Sequence, residues 1–228
     1  MRIPRSATPV LLAAALTVGL VGCSTPAAPP ATPEASKPAP TPEETTAAPS
    51  GDGDAASFAK PVTTPGELLG SASGDGFTVD VYQVGTAAAS KTGQFANPDT
   101  NAPIIEVGAE LVYVNYVITN TGTEDIPLSY SLVTVNPRYD DWPYMQGMDS
   151  VVDSEQFETM EVNSTAMATG VGDAPFIWEP GTTFSYGINF LHQANSPIEF
   201  TVGLTPADES GDLVHDKKQE LKIDTTIK

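Results

Sequence analysis

Few residues in this chain have side chains whose chemistry could drive a reaction. There is one cysteine, Cys23, and there are two histidines, His192 and His215. A hydrolytic triad needs a base held beside a nucleophile. Neither histidine sits in a nucleophile-elbow, zinc-protease, phosphate-loop or dinucleotide-binding pattern. Two histidines without a second cysteine also argue against a zinc site. Carboxylates are plentiful, so residue type alone leaves a glycosidase open, but a domain of roughly 150 residues without an evident aromatic-lined cleft is a poor frame for one. The reading is a non-enzymatic protein with no cofactor. The densest cluster of recognition-type side chains lies in segment 136–161, which holds Arg138, Tyr139, Asp140, Asp141, Trp142, Tyr144, Met145, Met148, Asp149, Asp153 and Glu155. Long connections in compact domains are functional or disordered, and grouped Trp and Tyr argue against disorder. Two uses stay open. Arg138, Tyr139, Asp140, Asp141, Trp142 and Tyr144 are candidate binding residues, because Trp, Tyr and Arg dominate recognition hot spots; alternatively, Trp142 and Tyr144 fold back to cap an open end of the core. Asp140, Asp141, Asp149 and Asp153 could offer hard oxygens to Ca²⁺, although their spacing is not that of an EF-hand.

Cys23 needs its own explanation, since a lone thiol forms no internal disulfide. Arg2 and Arg5 open the chain without an acid beside them, and residues 10–21 form an apolar run broken only by Thr17 and Gly19. Twelve residues fall short of the ~20 that span a bilayer and suit the apolar region of a signal peptide. Leu20-Val21-Gly22-Cys23 follows at once and resembles the bacterial lipobox. That resemblance implies diacylglycerol transfer to the Cys23 thiol, cleavage after Gly22, and a protein held to the membrane by acyl chains on its extracytoplasmic face. Ser24 stands where many Gram-negative lipoproteins carry the Asp that retains them in the inner membrane.

From residue 24 to about 66 the composition turns to Ala, Pro, Thr, Ser and Glu, with ten prolines and Phe58 as the only aromatic residue. Such a stretch buries too little apolar surface to offset its ordering entropy, and predicts a disordered spacer of polyproline character. It resembles the stalks of actinobacterial and other high-GC Gram-positive surface proteins. The expected organisation is a signal peptide over 1–22, a lipid-bearing linker over 23–67 and one domain over 68–228. With 29 acidic against 10 basic residues and a formal net charge of −19, the surface repels phosphate backbones and anionic head groups. Nucleic-acid binding and polybasic membrane docking are therefore disfavoured.

The elements that must position the 136–161 segment read as strands. Phe77, Val79 and Val81 alternate with Thr78, Asp80 and Tyr82 in the first, and a loop follows over 85–101. In 110–120, Val112, Val114, Tyr116 and Ile118 take one face while Leu111, Tyr113, Asn115 and Val117 take the other. Both faces are apolar-rich, which predicts a central strand. Asn120-Thr121-Gly122 begins a turn, and 126–135 returns, with Pro127 near its start. Pro180-Gly181 makes a turn that launches 182–191, with Phe184, Tyr186, Ile188 and Phe190 on one side. Ile198, Phe200, Val202 and Leu204 repeat the period, and Leu221, Ile223 and Thr225 close the domain. No amphipathic helix of three turns is expected after residue 70. The class is all-β, an antiparallel β-sandwich. The run Glu110 to Gly122 and the later Glu179-Pro180-Gly181-Thr182-Thr183-Phe184-Ser185-Tyr186-Gly187-Ile188-Asn189-Phe190 resemble the uncharacterised immunoglobulin-like domain of Gram-positive secreted lipoproteins. The resemblance spans roughly 76–204 and implies an immunoglobulin-like sandwich of about seven strands. It implies no catalytic motif. The expected role is a membrane-anchored binding module for an extracytoplasmic protein, a wall component or a small ligand; the alternatives are an accessory subunit of a membrane or wall complex and, more distantly, a small hydrolase.

Overall fold

The computed structural model describes residues 54–228; Cys23, the signal-peptide segment 1–22 and the linker as far as residue 53 lie outside the described residues. The first sheet holds β1 (Glu67–Ser73), β2 (Phe77–Ala88), β3 (Glu110–Asn120) and β6 (Thr183–Leu191), in the order β1-β2-β3-β6. The second holds β4 (Ile126–Tyr139), β5 (Phe176–Trp178), β7 (Pro197–Pro206) and β8 (Gln219–Thr226), in the order β5-β4-β7-β8. Every pairing within the sheets is antiparallel. The chain changes sheet after β3, β5 and β6, so the all-β sandwich expected from the alternation is the fold observed. The described residues hold one short α-helix, α1 (Ser154–Thr159), and no helix among them is long and apolar enough to cross a membrane.

The core follows from the period of two. Val112, Val114, Tyr116 and Ile118 of β3 share one buried cluster with Phe184 and Phe190 of β6 and Ile198, Phe200, Val202 and Leu204 of β7. Trp178 is fully buried and meets the rings of Phe184 at 5.1 Å and Phe77 at 6.5 Å, both edge-on. Such pairs add about 0.5–1.5 kcal/mol beyond the area they bury. Gly187 of β6 leaves no room for a side chain, since a Cβ there would run into the Val114 carbonyl of β3 and Val162. The corner between the sheets is tied by Asn120, which is fully buried. Its Nδ2 donates to the carbonyls of Trp178 (2.8 Å) and Glu124 (3.1 Å), and its Oδ1 accepts from the Gly122 amide (2.9 Å).

The opposite face of β3 is buried as completely. Leu111 and Tyr113 pack with Ala89, Ile105, Val151, Phe157 and Val162 in a second cluster contributed by the long β2–β3 and β4–β5 connections. Phe157 comes from α1, whose first turn is capped by Asp153 through the amides of Glu155 and Gln156. Its ring meets Tyr113 edge-on at 5.3 Å.

Three expectations are corrected. Residues 54–66 do not belong to a disordered linker: Ala56 and Phe58 are buried in the main core. The Ala56 amide donates to the Thr183 carbonyl, and the Thr183 amide donates to that of Asp54, both at 2.9 Å, so this segment pairs with the outer edge of β6 at its first residue. Burying one Phe contributes roughly 1.5–3 kcal/mol, and pairing an edge strand satisfies backbone groups that composition alone does not reveal. The folded unit therefore starts no later than Asp54. Second, β1 precedes the strand expected to be first, and β2 runs on to Ala88. Third, β4 continues through Tyr139, beyond the expected end at Val135. Pro137 is tolerated for a geometric reason. The Tyr186 hydroxyl accepts from the Val135 amide (3.0 Å) and donates to the Val133 carbonyl (2.8 Å), so odd positions of this stretch face away from β7. Pro137 has the same parity, and β5 reaches only as far as Leu128. The missing amide falls where the sheet has no partner strand.

Phe58→Ala should destabilise the domain by about 3–5 kcal/mol, the usual cost of truncating a buried aromatic ring. Chemical denaturation of the full chain measures it, and a loss below about 1 kcal/mol would show that the segment is not part of the core.

Candidate functional site

The candidate binding residues begin with the last two positions of β4 and continue past its end, and the alternation that builds the strand divides the first two. Arg138 is exposed, and Tyr139 is fully buried. The Tyr139 hydroxyl donates to the Leu191 carbonyl at 2.9 Å and accepts from the Gln193 amide at 3.2 Å. Burial pushes its pKa up to about 12, the Gln193 amide pulling the other way, and its ring packs edge-on against Phe190 at 5.6 Å. Tyr139 is thus a pillar between the sheets and presents no surface to a partner, against the expectation that it belongs to a binding set. Asp140 and Asp141 are exposed in the turn that follows, which the Trp142 amide closes by donating to the Tyr139 carbonyl at 3.1 Å.

Trp142 is 7 % exposed and belongs to the main core. Its indole N–H donates to the Gln146 carbonyl at 3.1 Å, and Tyr144 stands edge-on to it at 5.2 Å. Arg138 donates to the Tyr144 carbonyl (2.9 Å), and the Asn97 amide group donates to the Tyr144 hydroxyl (3.2 Å). Trp142 therefore caps the end of the sandwich, with Tyr144 half-buried beside it. Between Tyr144 and Gln146 stands Met145, 98 % exposed. The structure brings Arg138, Trp142 and Tyr144 together, buries Tyr139 apart from them and leaves Asp140 and Asp141 in solvent.

The rest of the segment is held by polar side chains inside the fold. The Asp149 carboxylate, 2 % exposed, accepts from the amides of Gln94 (3.0 Å), Phe95 (3.2 Å) and Ser150 (2.9 Å), which fastens the β2–β3 connection to this loop. A Cβ at Gly93 would collide with that carboxylate. Asn189 of β6, fully buried, brackets the backbone of Val151, accepting from its amide at 2.8 Å and donating to its carbonyl at 2.9 Å. Asp153 caps α1 and takes the Ser90 hydroxyl; its pKa lies below the usual carboxylate value, first because of that hydroxyl. Two of the four aspartates weighed as calcium ligands therefore spend their oxygens on groups of the fold. Among the described residues no group of three or more His, Cys, Asp or Glu is placed to hold a metal. The sequence assigns Asn189 no role, and it offers Asp149 only as a calcium-ligand candidate and Asn120 only as the start of a turn. An Asn inside the apolar run of β6 was the one available signal.

His192 follows β6, with Nδ1 at 2.7 Å from a Glu110 carboxylate oxygen and Nε2 at 2.9 Å from the backbone oxygen of Lys228. Both neighbours are acceptors, so the ring satisfies both only as an imidazolium. Burial pushes its pKa down, but the bonds to Glu110 and Lys228 outweigh that and leave it raised. Neither ring nitrogen is free to serve as a base. His215 opens a short 3-10 turn, His215–Lys217.

No family model matches the chain, and no curated protein matches it. Among solved structures the chain is similar to ycdA of Bacillus subtilis subsp. subtilis str. 168, a protein assigned as a lipoprotein, at 16 % identity and a TM-score of 0.37; the match covers 68 % of this chain and 38 % of that one, so this chain spans well under half its length. It is also similar to a functionally unknown protein from Listeria monocytogenes EGD-e, at 11 % identity and a TM-score of 0.37, over 72 % of this chain and 85 % of that one.

Two outcomes follow from this geometry. Trp142→Ala should cost about 3–5 kcal/mol and lower the melting temperature, whereas Met145→Ala should leave it unchanged; an undisturbed melt for Trp142→Ala would contradict the capping role. Because the His192 pKa is raised on folding, its contribution is fully present below the unfolded value near 6.5 and fades as pH rises through the folded value. The melting temperature should fall across that window in the wild type, and His192→Gln should remove that slope.

Proposed function

We propose that the protein is an extracytoplasmic lipoprotein, anchored through acylated Cys23, whose sandwich is a non-enzymatic interaction module that meets a protein partner through the tip built around Met145. One observation carries the reading. The described chain begins at Asp54, hydrogen-bonded to Thr183 at the start of β6, while Tyr139 and the tip loop attach to Leu191 at its end. Nine residues of strand separate the two ends by roughly 25–30 Å. Asp54 and the tip therefore lie at opposite ends of the domain, as a module held from below and engaged from above requires. The tip is also suited to recognition. Met145, Asp140 and Asp141 are exposed on a loop locked by Arg138, Trp142, Asp149 and Asn189, and a surface already rigid loses little entropy on binding.

The path of the chain supports the finer reading that the sandwich is immunoglobulin-like. Strands β2-β3-β6 face β5-β4-β7-β8, with changes of sheet after β3, β5 and β6, matching a Greek key in which paired strands alternate between layers. Both ring nitrogens of His192 are taken up by Glu110 and the Lys228 backbone oxygen, which favours a binding role over a hydrolytic one.

Cys23→Ala should shift the protein from the membrane fraction to the medium without altering its melting temperature, and mass spectrometry of the wild-type N-terminus should show acylated Cys23; an unmodified Cys23 in membrane-extracted protein would overturn the anchor. A photo-crosslinking residue at Met145 should give one discrete adduct in intact cells, and one at exposed Glu220 should not. Equal crosslinking at both would overturn the tip as the contact.

A further inference from the structure

At the opposite end from the tip, where β4 begins, lies a groove of about 580 Å³. Its floor includes Pro127, Ile177 and Val214, and its rim carries Asp125, Asp208 and Glu209, with Lys217 the one base among the lining residues. Ile177 is 41 % exposed, although its neighbours Phe176 and Trp178 on β5 are buried. The strand thus turns one aliphatic side chain outward, beside Pro127 in register. Leu213 is exposed nearby and bridges to Ala207. The rim acids are not neutralised. The ion pairs found among the described residues involve Glu110, Glu220, Glu199 and Glu67, and none reaches Asp125, Asp208 or Glu209. Asp208 is fixed in place, its carboxylate accepting from the amides of Ser210 (2.8 Å) and Asp212 (3.1 Å).

We propose that this groove docks a basic segment of a partner protein, one aliphatic side chain resting on Pro127, Ile177 and Val214 and flanking Lys or Arg residues meeting Asp125 and Glu209. The volume lies within the roughly 300–1,000 Å³ of pockets that enclose ligand groups, which favours inserted side chains over a flat contact. Charge selects the occupant. A second copy of a chain with a formal net charge of −19 would bring the same acids to the rim, and phosphate-bearing lipids or nucleic acids would meet them unpaired, whereas a basic segment is attracted and oriented. The groove is separate from the tip, because β4 runs between them alongside the ten residues of β7, on the order of 30 Å at about 3.3 Å per residue.

The test is an amide-shift titration of the ¹⁵N-labelled mature full chain with two synthetic pentapeptides, one alternating lysine with leucine and isoleucine, the other alternating lysine with glycine. The first should move the amides of Ile177, Ala207 and Val214 saturably, more weakly as salt rises, and the second should not. Ile177→Lys, at an exposed site whose fold the same spectrum checks, should weaken the first peptide about tenfold or more. Met145→Asp should leave it unchanged, so the groove and the tip succeed or fail separately. Equal binding of the two peptides, shifts scattered over the acidic surface, or full affinity in Ile177→Lys would overturn the proposal.

Discussion

A two-layer sandwich has room for one apolar face per sheet, yet β3 is buried on both. Val112, Val114, Tyr116 and Ile118 fill the space between the layers, while Leu111, Tyr113, Asn115 and Val117 are buried on the outside of the sheet. Exposing that outer face would forfeit on the order of 25 cal/mol for every Å² of apolar surface. The connections that would otherwise be short are long because they must cover it. Thr63 of segment 54–66 is held on it by Asn115, the β2–β3 connection supplies Ala89 and Ile105, and the β4–β5 connection supplies Val151, Phe157 and Val162. The tip is part of the same device, since the loop that carries Met145 outward continues directly into the cover.

Irregular cover has no ladder of its own to satisfy its backbone, and the polar side chains set into the strands take over that task. Asn189 pairs with Val151 as a neighbouring strand would. Asn115 and Ser185 hold Thr63 through its carbonyl and amide, at 2.7 and 2.8 Å. One backbone bond joins them, the Asn163 carbonyl accepting from the Gly187 amide at 2.9 Å. On the far layer, the Tyr186 hydroxyl substitutes for an absent edge strand at Val133 and Val135. Each buried group left without such a partner would cost about 1–3 kcal/mol, so these residues determine where the cover can sit and make it stiff.

Where periodicity was strong, the sequence was legible: β3 spans the expected 110–120, β7 and β8 carry the expected inward residues, and the Glu179-Pro180-Gly181-Thr182 turn forms with Gly181 at a positive φ of 75°. What escaped depended on partners. Glu67–Ser73 contains Gly70 and two serines and is a strand because β2 pairs with it. Segment 54–66 looked like spacer because composition averages away a single Phe58 whose burial is decided by its neighbours. The candidate site was legible as a cluster but not in orientation. Carrying the alternation of Val133 and Val135 two steps further would have placed Tyr139 in the core. The inward fold of Trp142 had no periodic signal, because it is set by a turn outside any strand.

The account rests on the cover being as fixed as the sheet it protects, and native-state amide hydrogen exchange reads that directly. It predicts that the amides of Val151, Thr183 and Gly187, whose acceptors are Asn189, Asp54 and Asn163, exchange as slowly as those of Val114 and Tyr116 in the middle of β3, while Met145 exchanges as an exposed amide. Fast exchange at Val151, Thr183 and Gly187 with β3 still protected would contradict it.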